Sequence, residues 1–159
     1  MENIGIRPAR PGELPAVARL RWDWLVENGG EDLGEREEFV RQFVAWAREN
    51  TASHRCMVVV RADAVVIGMA WLAVVQRVPT PRAPRRASGD LQCVYVLPDA
   101  RDGGLGGRLI QAVLDGAREL GLERVTVHST PRAIPAYARR GFQESPRLLQ
   151  ARVAGPGAG

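Results

Sequence analysis

The spacing of apolar residues changes along the chain, and each change marks a new element. Residues 4–7 alternate as a short strand, after which Leu14, Val17, Leu20, Trp24 and Leu25 recur on one face of a helix. Residues 34–50 repeat that spacing with Phe39, Phe43 and Trp46, and carry acidic residues in the first turn, where the helix dipole favours them. Two β-rich runs, residues 56–62 and 64–78, are parted by Asp63 and predict an antiparallel hairpin. Residues 91–97 read as a further strand, followed by a helix marked by Leu105, Leu109, Val113, Ala117 and Leu120 and ended by Gly121. Residues 123–129 return as a strand, residues 133–140 as a short helix closed by Gly141, and residues 141–145 and 147–153 as edge strands. The order βααβββαβαββ places antiparallel strands before a β-α-β crossover. It predicts an α/β (α+β) fold with a mixed sheet and helices on its faces.

Composition narrows the class. A chain of 159 residues fits one domain that buries roughly 70% of its unfolded surface. We assign residues 1–153 to that domain and residues 154–159, a Gly-rich end, to a flexible tail. Hydrophobic residues make up 45% and charged residues 25%, and no apolar run approaches the ~20 residues of a membrane span. The N-terminus shows no basic stretch followed by an apolar one, so no secretory signal is expected and the cytoplasm is the default location. Cys56 and Cys93 lie in apolar, strand-like contexts without metal-ligand spacing and read as buried thiols, and no metal is expected.

The net charge is +4, and all 22 basic residues are arginine. Arginine favours bidentate contacts with phosphate or carboxylate, so the balance fits either a phosphorylated cofactor or nucleic acid. It fits equally the codon usage of a GC-rich genome. Residues 76–89, with three prolines and Arg77, Arg82, Arg85 and Arg86, predict an ordered loop. No aromatic residue interleaves those arginines, so the stacking half of single-strand recognition is missing and nucleic acid is not the expected partner.

The stretch "RDGGLGG", Arg101 to Gly107, joins the strand of residues 91–97 to an apolar helix. Unpaired N–H groups at the positive end of a helix dipole attract an anion, and glycine lets a ligand approach the backbone closely. A Walker A loop would need Gly-Lys-Ser/Thr, which is absent, and a dinucleotide fingerprint would sit in an early βαβ unit.

"VYVLPDARDGGLG" resembles motif A of the GNAT superfamily of N-acetyltransferases: an apolar strand, Val-x-Pro-x-x-Arg/Gln-x-x-Gly-x-Gly/Ala, then a helix. "HSTPRAIPAYARRGF" resembles the family's second signature, a helix carrying Tyr and ending at Gly-Phe. The resemblance spans roughly residues 3 to 150. It implies a sheet of about seven strands with about four helices, splayed between strands four and five to admit acetyl-CoA. Backbone groups of Val94, Tyr95 and Val96 would meet the pantetheine and acetyl carbonyl. Backbone N–H groups of Asp102, Gly103, Gly104, Leu105, Gly106 and Gly107 would hold the diphosphate, with Arg101 at the Arg/Gln position. Asp102 departs from the family in placing an acid beside a diphosphate, which Arg108 would offset, and Thr130 stands where the family often has Asn.

The same resemblance makes Tyr137 the general acid that protonates the CoA thiolate, with packing of the thioester as its other reading. Asp90 stands where some members place a carboxylate base. By period-two alternation it shares a face with Gln92, Val94 and Val96, and it also fits a strand cap. His128 or a water would serve as base instead, and a structural role for His128 stands beside that one. Residues 27–38 carry six carboxylates on a connection that overhangs the acceptor in this family, which makes Trp24, Glu27, Glu31 and Asp32 candidate acceptor contacts. Trp22, Trp46 and Trp71 join Trp24 as wall residues or as core.

The implied reaction is direct transfer of an acetyl group to a primary amine of a small molecule or peptide N-terminus. An amino sugar, a polyamine and an amino acid all qualify as acceptors. Homodimers are frequent in the family, and no membrane contact is expected. The competing readings are a CoA-binding module without turnover and a protein directed at nucleic acid or aminoacyl-tRNA through the arginine-rich loop.

Overall fold

A computed structural model describes residues 3–155. Its strands are β1 (Ile4–Pro8), β2 (His54–Arg61), β3 (Val66–Arg77), β4 (Arg86–Val96) and β5 (Val125–Val127), and its helices α1 (Leu14–Glu27), α2 (Arg36–Glu49), α3 (Leu105–Glu119) and α4 (Ile134–Ala138). The strands form one sheet in the order β1-β2-β3-β4-β5. The first three pairings are antiparallel, and β5, arriving after the α3 crossover, lies parallel to β4.

β3 reads as a nearly unbroken apolar run because helices cover both of its faces. Ile67, Ala70 and Leu72 point into a core shared with Leu105, Leu109, Val113 and Ala117 of α3. Val66, Met69 and Trp71 point into a second core with Val17 and Leu20 of α1 and Ala47 of α2, the alternation being shifted at Ile67, an extra residue opposite Val59 and Val60. The helical periodicity in the sequence therefore reports two different surfaces packed on opposite sides of one sheet.

The elements differ from the sequence reading at residues 76–89 and from β5 onwards. β3 and β4 extend into the predicted loop of residues 76–89, pairing down to Gln76 with Ala87 and Arg77 with Arg86. β5 keeps only three of the residues predicted for it. Neither C-terminal edge strand forms, so the sheet has five strands rather than about seven. Leu148, Leu149 and Val153 are 64%, 87% and 96% exposed. A cavity of ≈ 390 Å³ opens near Pro8 and α3, and one of ≈ 660 Å³ separates β5 and Tyr137 from residues 142–148. Leu148 lines the second cavity, but Leu149 and Val153 bury against nothing, and a run that buries so little gains little by pairing. Of the predicted tail, residues 156–159 lie outside the described residues.

Leu109 is fully buried in the α3 core, whereas Leu149 is almost free of contacts. Urea unfolding of Leu109→Ala is expected to show a loss of about 2–5 kcal/mol, and Leu149→Ala a change within about 0.5 kcal/mol.

Candidate functional site

β4 pairs with β3 along its whole length but with β5 only at Gly89, Asp90 and Leu91. The β3 register then slips: Leu72 faces Leu91 and Trp71 faces Cys93, so Gln92 is an extra, exposed residue in a β-bulge. A bulge bends its strand and sharpens the twist. Here it coincides with the point where β4 and β5 separate, and β4 continues through Gln92–Val96 without a β5 partner.

The bulge also changes which side chains share a face. Leu91, Val94 and Val96 all belong to the α3 core, while Cys93 and Tyr95 belong to the α1/α2 core. Strict alternation placed Asp90 with Val94 and Val96, and the inserted residue reverses this. Asp90 lies opposite Leu91, and its Oδ1 accepts a 3.1 Å hydrogen bond from Thr126 Oγ1, whose neighbours Val125 and Val127 pack towards α3. The Asp90 carboxylate thus looks to the α1/α2 side, with Gln92 Nε2 donating to Oδ2 at 3.3 Å.

The chain leaves β4 through a 3-10 turn, Pro98–Gly103, and enters α3 through Gly104 at φ 72° and ψ 15°. That left-handed conformation is costly for any residue with a Cβ. The first bond of the α3 ladder runs from Arg108 N–H to the Gly104 carbonyl at 3.2 Å. The N–H groups of Leu105, Gly106 and Gly107 precede the ladder and project from the helix end, where no side chain caps them. A Cβ at Gly103, Gly104 or Gly106 would meet no atom within 4 Å, so the space in front of these N–H groups is open. Donors, space and dipole all suit a diphosphate. Asp102 and Arg108 are both exposed beside it.

Arg101 turns away from that cradle. Its Nε donates to the Val96 carbonyl at 2.8 Å, and its Nη2 donates to both carboxylate oxygens of Glu27, the last residue of α1, at 2.9 and 2.8 Å. The Tyr95 hydroxyl donates to the same carboxylate at 2.9 Å, and the guanidinium lies 5.3 Å from the Tyr95 ring centroid. The Arg101 bonds hold Glu27 below the usual carboxylate range. Burial first, and then the adjacent carboxylate, push the Tyr95 phenol up to about 12. Glu27 is therefore engaged in tying α1 to the end of β4, while Glu31 and Asp32 stand exposed on the following connection. Trp24 is half-buried against the α1/α2 core.

Tyr137 sits on α4, partly buried against the α3 core, with its ring 5.3 Å from that of Phe142 in an edge contact. Burial raises its pKa, so the phenol, protonated at neutral pH in any case, is held further from ionisation. Thr130 precedes the 3-10 turn before α4 and, like His128, is exposed just beyond the end of β5. His54 contacts Ser53 Oγ through Nδ1 at 2.8 Å and lies edge-on to Trp46. Trp22, Phe39, Phe43, Trp46 and Trp71 form a continuous aromatic run along α1, α2 and β3.

Three arginines carry information that the sequence reading missed. Arg86, one of the loop arginines, is bonded to both oxygens of Glu123 at 2.6 and 3.0 Å. Arg140 lies so close to Gly107 that a Cβ there would come within 2.7 Å of its Nη2, which brings a guanidinium to the first turn of α3. Arg21 projects from α1 onto Cys93, with Nη1 3.6 Å from Sγ. The signal available in the sequence is a charged residue four positions after the fully buried Val17, in the apolar stripe of α1.

Fold and cleft together define a mixed α/β protein with a gap between two parting strands beside an uncapped helix N-terminus. A family model described as acetyltransferase (GNAT) family matches residues 14–142, and the chain belongs to that family of acyltransferases. It is 32% identical over 143 residues to an amino-acid acetyltransferase of Pseudomonas aeruginosa, covering 86% of this chain and 31% of the relative. It is 30% identical over 149 residues to a mycothiol acetyltransferase of Saccharomonospora viridis, covering 89% and 46%. The chain thus spans less than half the length of these relatives. Among solved structures, a predicted acetyltransferase from Clostridium acetobutylicum, crystallised with acetyl-CoA, superposes with a TM-score of 0.77 at 16% identity, over 94% of this chain and 96% of that one.

The Glu27–Arg101 pair is more than one-third exposed on both sides, so solvent screening limits it to about 1 kcal/mol or less. Because Glu27 is lowered, its contribution is present at neutral pH and is lost as pH falls through that lowered value. Glu27→Gln is expected to lower Tm by a few degrees at neutral pH and to match the wild type in acid below the carboxylate range, measured by thermal unfolding across that span.

Proposed function

We propose that this protein transfers the acetyl group of acetyl-CoA to a primary amine of a small molecule, by direct attack within a ternary complex. The observation that carries this reading is the conjunction of an unpartnered β4 edge at Gln92–Val96 with the free N–H groups of Leu105, Gly106 and Gly107. An extended pantetheine arm can pair along the first while its diphosphate meets the second. The relatives named for amino-acid and mycothiol acetylation support a small-molecule acceptor.

Acetyl-CoA supplies an acyl carbonyl already activated as a thioester. The backbone of Val94, Tyr95 and Val96 would orient the arm. The loop from Asp102 to Gly107 would bind the phosphates, with Arg108 and Arg140 adding positive charge and Thr130 a polar contact. Arg101 acts on this site indirectly, through Val96 and Glu27. Tyr137, whose phenol is protonated at neutral pH, takes the role of acid towards the departing sulfur. Asp90, facing the α1/α2 side, takes the role of base towards the incoming ammonium, directly or through a water. Trp24, Glu31 and Asp32 would border the acceptor. We place the reaction in the cytoplasm, in a domain of residues 1–153 that acts as a homodimer. No helix among the described residues is long and apolar enough to cross a membrane.

Acetyl-CoA at about 100 times its Kd is expected to stabilise the protein by about 2.7 kcal/mol in thermal unfolding, and no shift at millimolar cofactor would remove the cofactor site. Tyr137→Phe is expected to lower kcat by roughly 100-fold while leaving the acetyl-CoA Kd within about twofold. Unchanged turnover would leave Tyr137 a packing residue. Cofactor binding without thiol release across a broad amine panel would leave a binding module.

A further inference from the structure

Arg21 is the residue that neither the fold nor the cofactor site explains. It lies half-buried on α1, with its guanidinium 4.6 Å from the Trp24 ring centroid and Nη1 3.6 Å from Cys93 Sγ. A thiol is a weak acceptor and an indole face none at all for a guanidinium fork, so most of the donor capacity of Arg21 is unspent. Arg7 and Arg86, also partly covered, each close two hydrogen bonds onto a single carboxylate, Glu13 and Glu123. No carboxylate among the described residues lies within ion-pair distance of Arg21.

Its position gives that spare capacity a use. Cys93 is the first residue after the Gln92 bulge, where β4 leaves β5, and it faces the α1/α2 side as Asp90 does. A cationic fork and a carboxylate thus flank the opening of the gap on one face of the sheet. Of the two acids of α1, Asp23 forms no ion pair with Arg21, and Glu27 is held by Arg101 and Tyr95. An amine that also carries a carboxylate would match both charges. A polyamine would meet Arg21 as a like charge.

We propose that Arg21 binds the carboxylate of the acceptor, and that the protein acetylates small amines bearing a carboxylate, amino acids being the simplest class. The proposal rests on the acetyl-transfer reading and narrows its substrate. Arg21 reads the acceptor and takes no part in proton transfer or cofactor binding, so its loss acts on the acceptor KM alone.

The test compares amino acids with their decarboxylated amines, such as tyrosine with tyramine, histidine with histamine and lysine with cadaverine, using acetyl-CoA as donor and thiol release as readout. The wild type is expected to favour the carboxylate-bearing member of an accepted pair by at least about 100-fold in kcat/KM. Arg21→Met is expected to erase most of that preference through a raised amino-acid KM, with an unchanged KM for acetyl-CoA, and Arg21→Lys to restore part of it. In parallel, calorimetric titration of the amino-acid panel into the CoA-bound protein should show binding to the wild type that Arg21→Met loses. Equal use of the decarboxylated amines, an unaltered amino-acid KM in Arg21→Met, or no amino-acid binding by the CoA-bound wild type would each overturn the proposal. Acetyl-CoA stabilisation of both proteins, measured alongside, reports separately on the cofactor reading.

Discussion

The pairing of β4 with β5 stops after three residues, and the rest of the site depends on where it stops. A parallel pair that ran the full length of β4 would close the sheet and leave no edge for a ligand. The Gln92 bulge provides the break, and it lies between a closely paired segment, Gly89–Leu91, and an open one, Gln92–Val96. Because α3 springs from the end of the same strand, the open edge and the free helix N–H groups fall side by side. One local irregularity in register therefore sets an open strand edge and unpaired helix N–H groups beside each other.

An open edge needs support from elsewhere. Tyr95 is 4% exposed, and its hydroxyl joins Arg101 in holding Glu27, so the far end of β4 is tied to α1 across the sheet face. The Leu97 N–H adds a 2.9 Å bond to the Ile67 carbonyl, which continues the β3–β4 ladder to the start of the turn. These contacts keep the strand in place where β5 no longer does. They also explain why Arg101 serves the frame of the site, leaving Arg108 and Arg140 as the positive charges at the first turn of α3.

The sequence made the long elements legible, and for physical reasons. α3 shows its stripe because Leu105, Leu109, Val113 and Ala117 all bury against one sheet face, and β3 reads as apolar from Val66 to Ala73 because both of its faces are covered there. The glycine turn was readable because Gly104 has to adopt a left-handed conformation. The bulge was not readable: nothing in "LQCVYVL" distinguishes an extra residue from ordinary alternation, and the facing of Asp90 was lost with it. The ion pairs of Arg101 and Arg86 with Glu27 and Glu123 join residues 74 and 37 positions apart, and no periodicity encodes them. The C-terminal strands were read from β-type composition alone. Composition does not supply a partner edge, and β5 is too short to offer one.

Amide hydrogen exchange with and without acetyl-CoA tests the central claim, that the gap opened at Gln92 and the first turn of α3 form one cofactor site. The account predicts that acetyl-CoA slows exchange together in residues 92–96 and 103–107, with little change in β1, β2 or α2. Protection confined to other elements, or none at saturating acetyl-CoA, would contradict it.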